Sequence, residues 1–156
     1  EGRSVSPIIG RFKIEAPANP IATFWEPPLG MLDNIALRYV NMPTTVTAGS
    51  TFTITLTYET WQGGNPQGVG FIHLFDAHGL SVAQDDHIPV HGTYPTDLWT
   101  AGECVTDQFT MQAPITATGT LSTVTGFYSP FDGQRFNTGT RDNLLPLGSL
   151  LIEPQR

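Results

Sequence analysis

Positive charge is nearly missing from this chain of 156 residues: seven basic side chains, with Lys13 the one lysine, face fourteen acidic ones, a formal charge of -7. Binding a phosphate backbone takes clustered Lys and Arg that displace counterions, so nucleic acid is not expected as a partner. Cysteine is scarcer still. Cys104 stands alone, which removes any disulfide within the chain and reads as a small buried hydrophobe. No apolar run approaches the ~18 residues of a membrane-spanning helix. Runs of strong helix formers are missing as well, whereas threonine is abundant and 16 glycines and 13 prolines are spread along the chain; that usage speaks for strands and turns. The numbering opens on Glu1 rather than Met, so a processed product is expected. With a Thr-rich, Lys-poor surface, the expectation is an extracytoplasmic protein, secreted or anchored at the cell surface.

Residues 1–33 differ from the rest. Pro7, Pro17, Pro20, Pro27 and Pro28 forbid a long helix and interrupt a central strand, which predicts an extended arm or tether. Residues 34–156 read as one domain. "TFTITLTYE" (51–59) alternates Phe52, Ile54, Leu56 and Tyr58 with threonines, the period of a strand with one buried and one wet face. "NIALRYV", "VGFIHLFDA", "LSVAQDD", "ECVTDQFTMQ", "GTLSTVTGFYS" and "LPLGSLLIEP" supply further strands, the second and third of these joined as a hairpin by "DAHGL". About seven strands at regular spacing with turn-rich connections predict an all-β fold, an antiparallel β-sandwich of immunoglobulin or fibronectin-III type.

The segments "VTAGSTFTITLTYET", "GFIHLFDAHGLSVAQDD", "GTYPTDLWTAGE", "GTLSTVTGFYSPFDGQRF" and "PLGSLLIE" resemble, in that order, an accessory β-sandwich module of Chloroflexota-type bacterial envelope proteins. Such modules occur C-terminal to some glycosyltransferase-like membrane proteins. The shared motifs are Phe71-Ile72-His73-Leu74 and the set Gly92, Tyr94, Pro95, Thr96, Trp99, Gly102 and Glu103. The resemblance implies a sandwich fold over residues 29–154 and an accessory role with no assigned activity.

The stretch "AQDDHIPVHGTYPTDLW" (83–99) gathers Asp85, Asp86, His87, His91 and Asp97. Zinc needs three or four converging ligands, and no CxxC or HExxH spacing arranges them; Pro89 and Gly92 break the helix on which His87 and His91 would share a face. Calcium needs only oxygens, which Asp76, Asp85, Asp86, Asp97, Asp107 and Asp132 could offer, and Asp85, Asp86 and His87 are the first candidates for an ion. The plainer expectation is no cofactor, with turn carboxylates bonded to their own backbone. No GxSxG supplies a nucleophile, so no enzyme is expected. The segment reads instead as a crossover anchored by Tyr94 and Trp99. Two binding classes remain, the first the leading expectation and the second its alternative. A structural or interaction module of the cell envelope, assembling with itself or other subunits, would use the arm's Ile8, Ile9, Phe12 and Ile14 as a donated strand. A carbohydrate-binding module would offer the flat faces of Trp61, Tyr94 and Trp99 to glycans.

Overall fold

A computed structural model of the protein describes residues 26–155, which fold into an all-β sandwich of two sheets. The strands are β1 (Gly30–Leu32), β2 (Ile35–Asn41), β3 (Thr45–Thr47), β4 (Thr51–Thr60), β5 (Val69–Phe75), β6 (Ser81–His87), β7 (Cys104–Gln112), β8 (Gly119–Tyr128) and β9 (Leu145–Glu153). One sheet has the order β1-β2-β4-β7 and the other β3-β9-β8-β5-β6. All pairings are antiparallel except β3 with β9.

Alternation decides which way each strand faces. Phe52, Ile54, Leu56 and Tyr58 of β4 point inward, where they meet Val105, Phe109 and Met111 of β7 in the same layer. Leu121, Thr123, Thr125 and Phe127 of β8 face them from the other sheet, all buried. Each fully buried Leu, Ile or Phe contributes roughly 1.5–3 kcal/mol of transfer free energy, so this layer is the main source of stability. The two buried threonines differ: Thr125 donates its hydroxyl to the Phe71 carbonyl at 2.7 Å, which makes a polar side chain tolerable there. Strand β5 is apolar on both faces, as its sequence predicts, because its outward Phe71 is itself covered. Gly126 on β8 leaves room for that ring; a Cβ there would stand 2.5 Å from Phe71 Cζ.

The hairpin β5–β6 and the seven longer strands lie where the sequence places them. Two short strands escape a reading by periodicity: β3, and β1, which lies inside the stretch assigned to the arm yet buries Leu32 completely. Cys104 is the clearest correction, since it is exposed. It opens β7 on the outward register, opposite Glu59, and only burial on the inner face would have made it a core residue.

Strands β6 and β7 are edges of different sheets on the same flank, and the segment 88–103 crosses between them. It carries a single 3-10 turn, Thr96–Leu98, and is pinned by buried Pro89, Pro95, Thr96 and Trp99. The Thr96 hydroxyl donates to the Pro66 carbonyl at 2.6 Å and accepts from the Gly68 amide at 2.7 Å.

Candidate functional site

Among the described residues the most buried carboxylate lies against the crossover. Asp107 on edge strand β7 faces inward at 1% exposure, an inward charge of the kind that discourages edge-to-edge pairing. It accepts from His87 Nε2 at 3.1 and 3.2 Å, from the Val90 amide at 3.0 Å and from the Gln108 amide at 3.0 Å. The hydrogen bond to Asp107 raises the His87 pKa, outweighing the opposite effect of burial, and the negative charges of Asp107 and Asp85 add to the rise. Burial and then the Asp107 charge push the phenol of Tyr58 far above its usual range. Val90, His91 and Gly92 are consecutive left-handed residues, with φ of 55°, 51° and 82°. For a β-branched valine that conformation is strained, and the Asp107 contact to its amide helps hold it. The His91 ring stacks on His87 with centroids 4.9 Å apart, and a cleft of about 230 Å³ lies between this turn and Thr106, Asp107 and Gln108.

This arrangement is a clamp. Both nitrogens of His87 face carboxylates, Nε2 toward Asp107 and Nδ1 toward Asp85 at 3.5 Å, whereas a general base needs a nitrogen open to its substrate. The three ion candidates do not converge either. Alternation along β6 sends Asp85 and His87 to one side and Asp86 to the other, where its carboxylate meets His73 Nε2 at 3.2 Å. Among the described residues no group of three or more His, Cys, Asp or Glu side chains is placed to hold a metal ion. Two of the other calcium candidates close their own turns: Asp76 accepts from the His78 and Leu80 amides, and Asp132 from the Gln134 amide. The Gln134 amide lowers the Asp132 pKa, with Ser129 helping.

Beyond Asp86, the outer face of the five-stranded sheet is largely self-satisfied. Phe71 is covered at 1% exposure, with the Arg135 guanidinium 5.6 Å above its ring. Its neighbour His73 packs 4.7 Å from it, centroid to centroid. Burial, followed by the Asp86 charge and hydrogen bond, raises the Tyr128 pKa.

The three aromatic residues expected to face a glycan separate cleanly. Trp99 is 1% exposed, donates Nε1 to the Tyr94 carbonyl at 3.0 Å and meets Tyr58 and Phe127 in the core; it is an anchor, closed to any ligand. Tyr94 is half-buried beside it, its hydroxyl 2.5 Å from Glu103 Oε1. Trp61 differs, being 50% exposed. Its Nε1 donates to Glu59 Oε2 at 3.2 Å, and the same oxygen accepts from Arg38 Nε at 2.6 Å. On the same outer face Tyr39 is 59% exposed.

Tyr39 is the residue that sequence reasoning misses. Simple alternation from Ile35 and Leu37 would turn it inward. A bulge between Leu37 and Tyr39 inserts Arg38, so that Leu37 pairs with inward Tyr58 but Tyr39 with outward Thr57. A bulge re-aims every side chain after it. The outer face of the four-stranded sheet thus carries Tyr39 and Trp61 flanking the Arg38–Glu59 ion pair. Next to them lie Thr51, Thr53, Thr55 and Thr57 of β4 and Thr106, Gln108, Thr110 and Gln112 of β7. The arm positions Ile8, Ile9, Phe12 and Ile14 lie outside the described residues.

No protein-family model matches the chain, and no curated protein matches it. Among solved structures, the C-terminal domain of Wzt aligns with a TM-score of 0.55 at 11% identity, over 81% of this chain and 77% of that one. The alkylpurine DNA glycosylase AlkC of Pseudomonas fluorescens aligns at 0.49 and 11% identity, over 78% of this chain and 31% of that one. A Niemann-Pick type C2 protein from Japanese carpenter ant aligns at 0.46 and 6% identity, over 75% and 91%. At these identities the likeness that carries weight, to the Wzt domain, is one of fold: this chain shares its β-sandwich architecture.

Proposed function

We propose that this protein is a non-catalytic binding module whose ligand is a saccharide, held on the outer face of the four-stranded sheet. The observation that carries the reading is the pair of exposed aromatic rings, Trp61 and Tyr39, on either side of the Arg38–Glu59 pair. Aromatic faces accept the C–H face of a sugar ring, and the ion pair between them, its side chains only 9% and 13% exposed, holds the Trp61 indole in place through the Glu59 carboxylate. An accessory sugar-binding role also fits the modules of glycosyltransferase-like envelope proteins that the sequence resembles. The immunoglobulin-like grouping belongs to the same proposal: the orders β2-β4-β7 and β9-β8-β5 follow those of the A-B-E and G-F-C strands of that fold.

A glycan array probed with the wild type and with Trp61→Ala and Tyr39→Ala tests the reading. Both substitutions are at exposed positions and should leave the melting temperature nearly unchanged, while each weakens retention of the bound glycans by about tenfold, ~1.4 kcal/mol. Glycan binding that survives in both variants would refute the proposed face.

A further inference from the structure

We infer that the saccharide taken by this face is an uncharged, extended chain lying along β4, rather than a single terminal sugar. The inference rests on the saccharide reading above and adds the ligand's charge and length.

Outward positions of β4 recur every second residue, at Thr51, Thr53, Thr55, Thr57 and Glu59, and the row ends on Trp61. At ~3.3 Å per residue it is about 33 Å long, several sugar units. Directly across lie Gln112, Thr110, Gln108 and Thr106 of β7, paired with Thr51, Thr53, Thr55 and Thr57 in that order. All four of these β7 residues are exposed, as are Thr51 and Thr53. The hydroxyls of Thr57 and Thr106 sit 3.0 Å apart. Hydroxyls and amides both donate and accept, so two parallel rows of them suit a ligand made of hydroxyls. A single sugar stacked on Trp61 would leave most of this row unused.

Charge narrows the class further. Among the outward positions of β2, β4 and β7, Glu59 supplies the one carboxylate and Arg38 the one cation, and the two neutralise each other at the aromatic end. From Thr57 to Thr51 and from Thr106 to Gln112 the face has no ionisable group. A uronate or sulfated chain would find no cation along it among the described residues, and the chain's formal charge of -7 adds a repulsive field at low salt. An uncharged chain meets neither penalty.

Affinity gel electrophoresis in the presence of soluble β-glucan, mannan, xylan and galactan, with alginate and polygalacturonate as acidic counterparts, tests both parts. At least one neutral polymer should retard the protein, and neither acidic one should. Calorimetry with oligomers of the retarding polymer should then show affinity rising by about tenfold or more from disaccharide to hexasaccharide, and the double substitution Thr53→Ala with Thr110→Ala should remove most of that gain. Preferential retardation by alginate or polygalacturonate would overturn the charge assignment. Equal affinity for short and long oligomers, or a gain untouched by the double substitution, would overturn the extended chain while leaving the aromatic site standing. Retardation by no polymer, neutral or acidic, would remove the saccharide reading itself and this inference with it.

Discussion

Replacing Asp107 with Asn keeps the shape of this buried carboxylate and removes its charge. In the native protein that carboxylate receives hydrogen bonds from His87 Nε2, the Val90 amide and the Gln108 amide. An amide has one acceptor oxygen, so one of these donors must face an NH2 group instead. A charge-assisted hydrogen bond is worth about 1.5–3 kcal/mol, and the loss should be about 2 kcal/mol, a sizeable part of the roughly 5–15 kcal/mol that holds a domain together. The sign of the pH dependence follows from His87. Its pKa is raised in the folded protein, so its contribution is complete below the unfolded value near 6.5 and disappears as pH rises through the folded value. The gap between wild type and variant should therefore be widest near pH 5.5 and narrow by pH 9. Asp85, 3.5 Å from the other ring nitrogen, remains in the variant and retains part of the shift; Tyr58 stays neutral over this range because its phenol is pushed up. Urea denaturation of both proteins at the two pH values measures the gap directly. A gap below about 0.5 kcal/mol, or one equal at both pH values, would show that Asp107 does not bear on His87 as described.

The remaining expectations concern packing. Trp99→Ala should cost about 3–5 kcal/mol, as for other large buried aromatics, whereas Trp61→Ala should change stability by less than about 0.5 kcal/mol; denaturant midpoints separate the two, and similar losses would contradict their assigned places. Thr96→Val strips both hydrogen bonds that tie the crossover to Pro66 and Gly68, and leaving a buried amide and carbonyl unpaired should cost about 2–3 kcal/mol in the same measurement. Gly126→Ala would put a methyl group 2.5 Å from Phe71 Cζ and should destabilise by about 1–3 kcal/mol through forced repacking. A neutral melting temperature for that variant would mean the Phe71 ring moves freely.

Much of the sandwich is legible in the sequence because its long strands carry a strict period of two. In β4, alternating threonines and apolar residues leave one register able to bury the core, and in β8 the apolar and threonine positions that turn inward are equally regular. The short strands are not legible that way. β1 and β3 have three residues each, too few for a period, and they exist because neighbours offer them an edge. Within the candidate site, Trp61 is readable as an aromatic residue at the end of an alternating strand, but its separation from Trp99 is not. Both are tryptophans beside turns, and only packing sends one into the core with Tyr58 and Phe127 while leaving the other half in solvent.

The sequence by itself determines the β class, the main strands, the inward rows of the core and the poverty of cations; these follow from composition and from side chains alternating about a pleated backbone. Tertiary structure alone decides two further matters. It brings Asp107 of β7 onto Nε2 of His87, and through the bulge at Arg38 it turns Tyr39 outward beside Trp61. Each depends on which strands become neighbours and in what register, and contacts between positions far apart in the chain leave no local pattern along it.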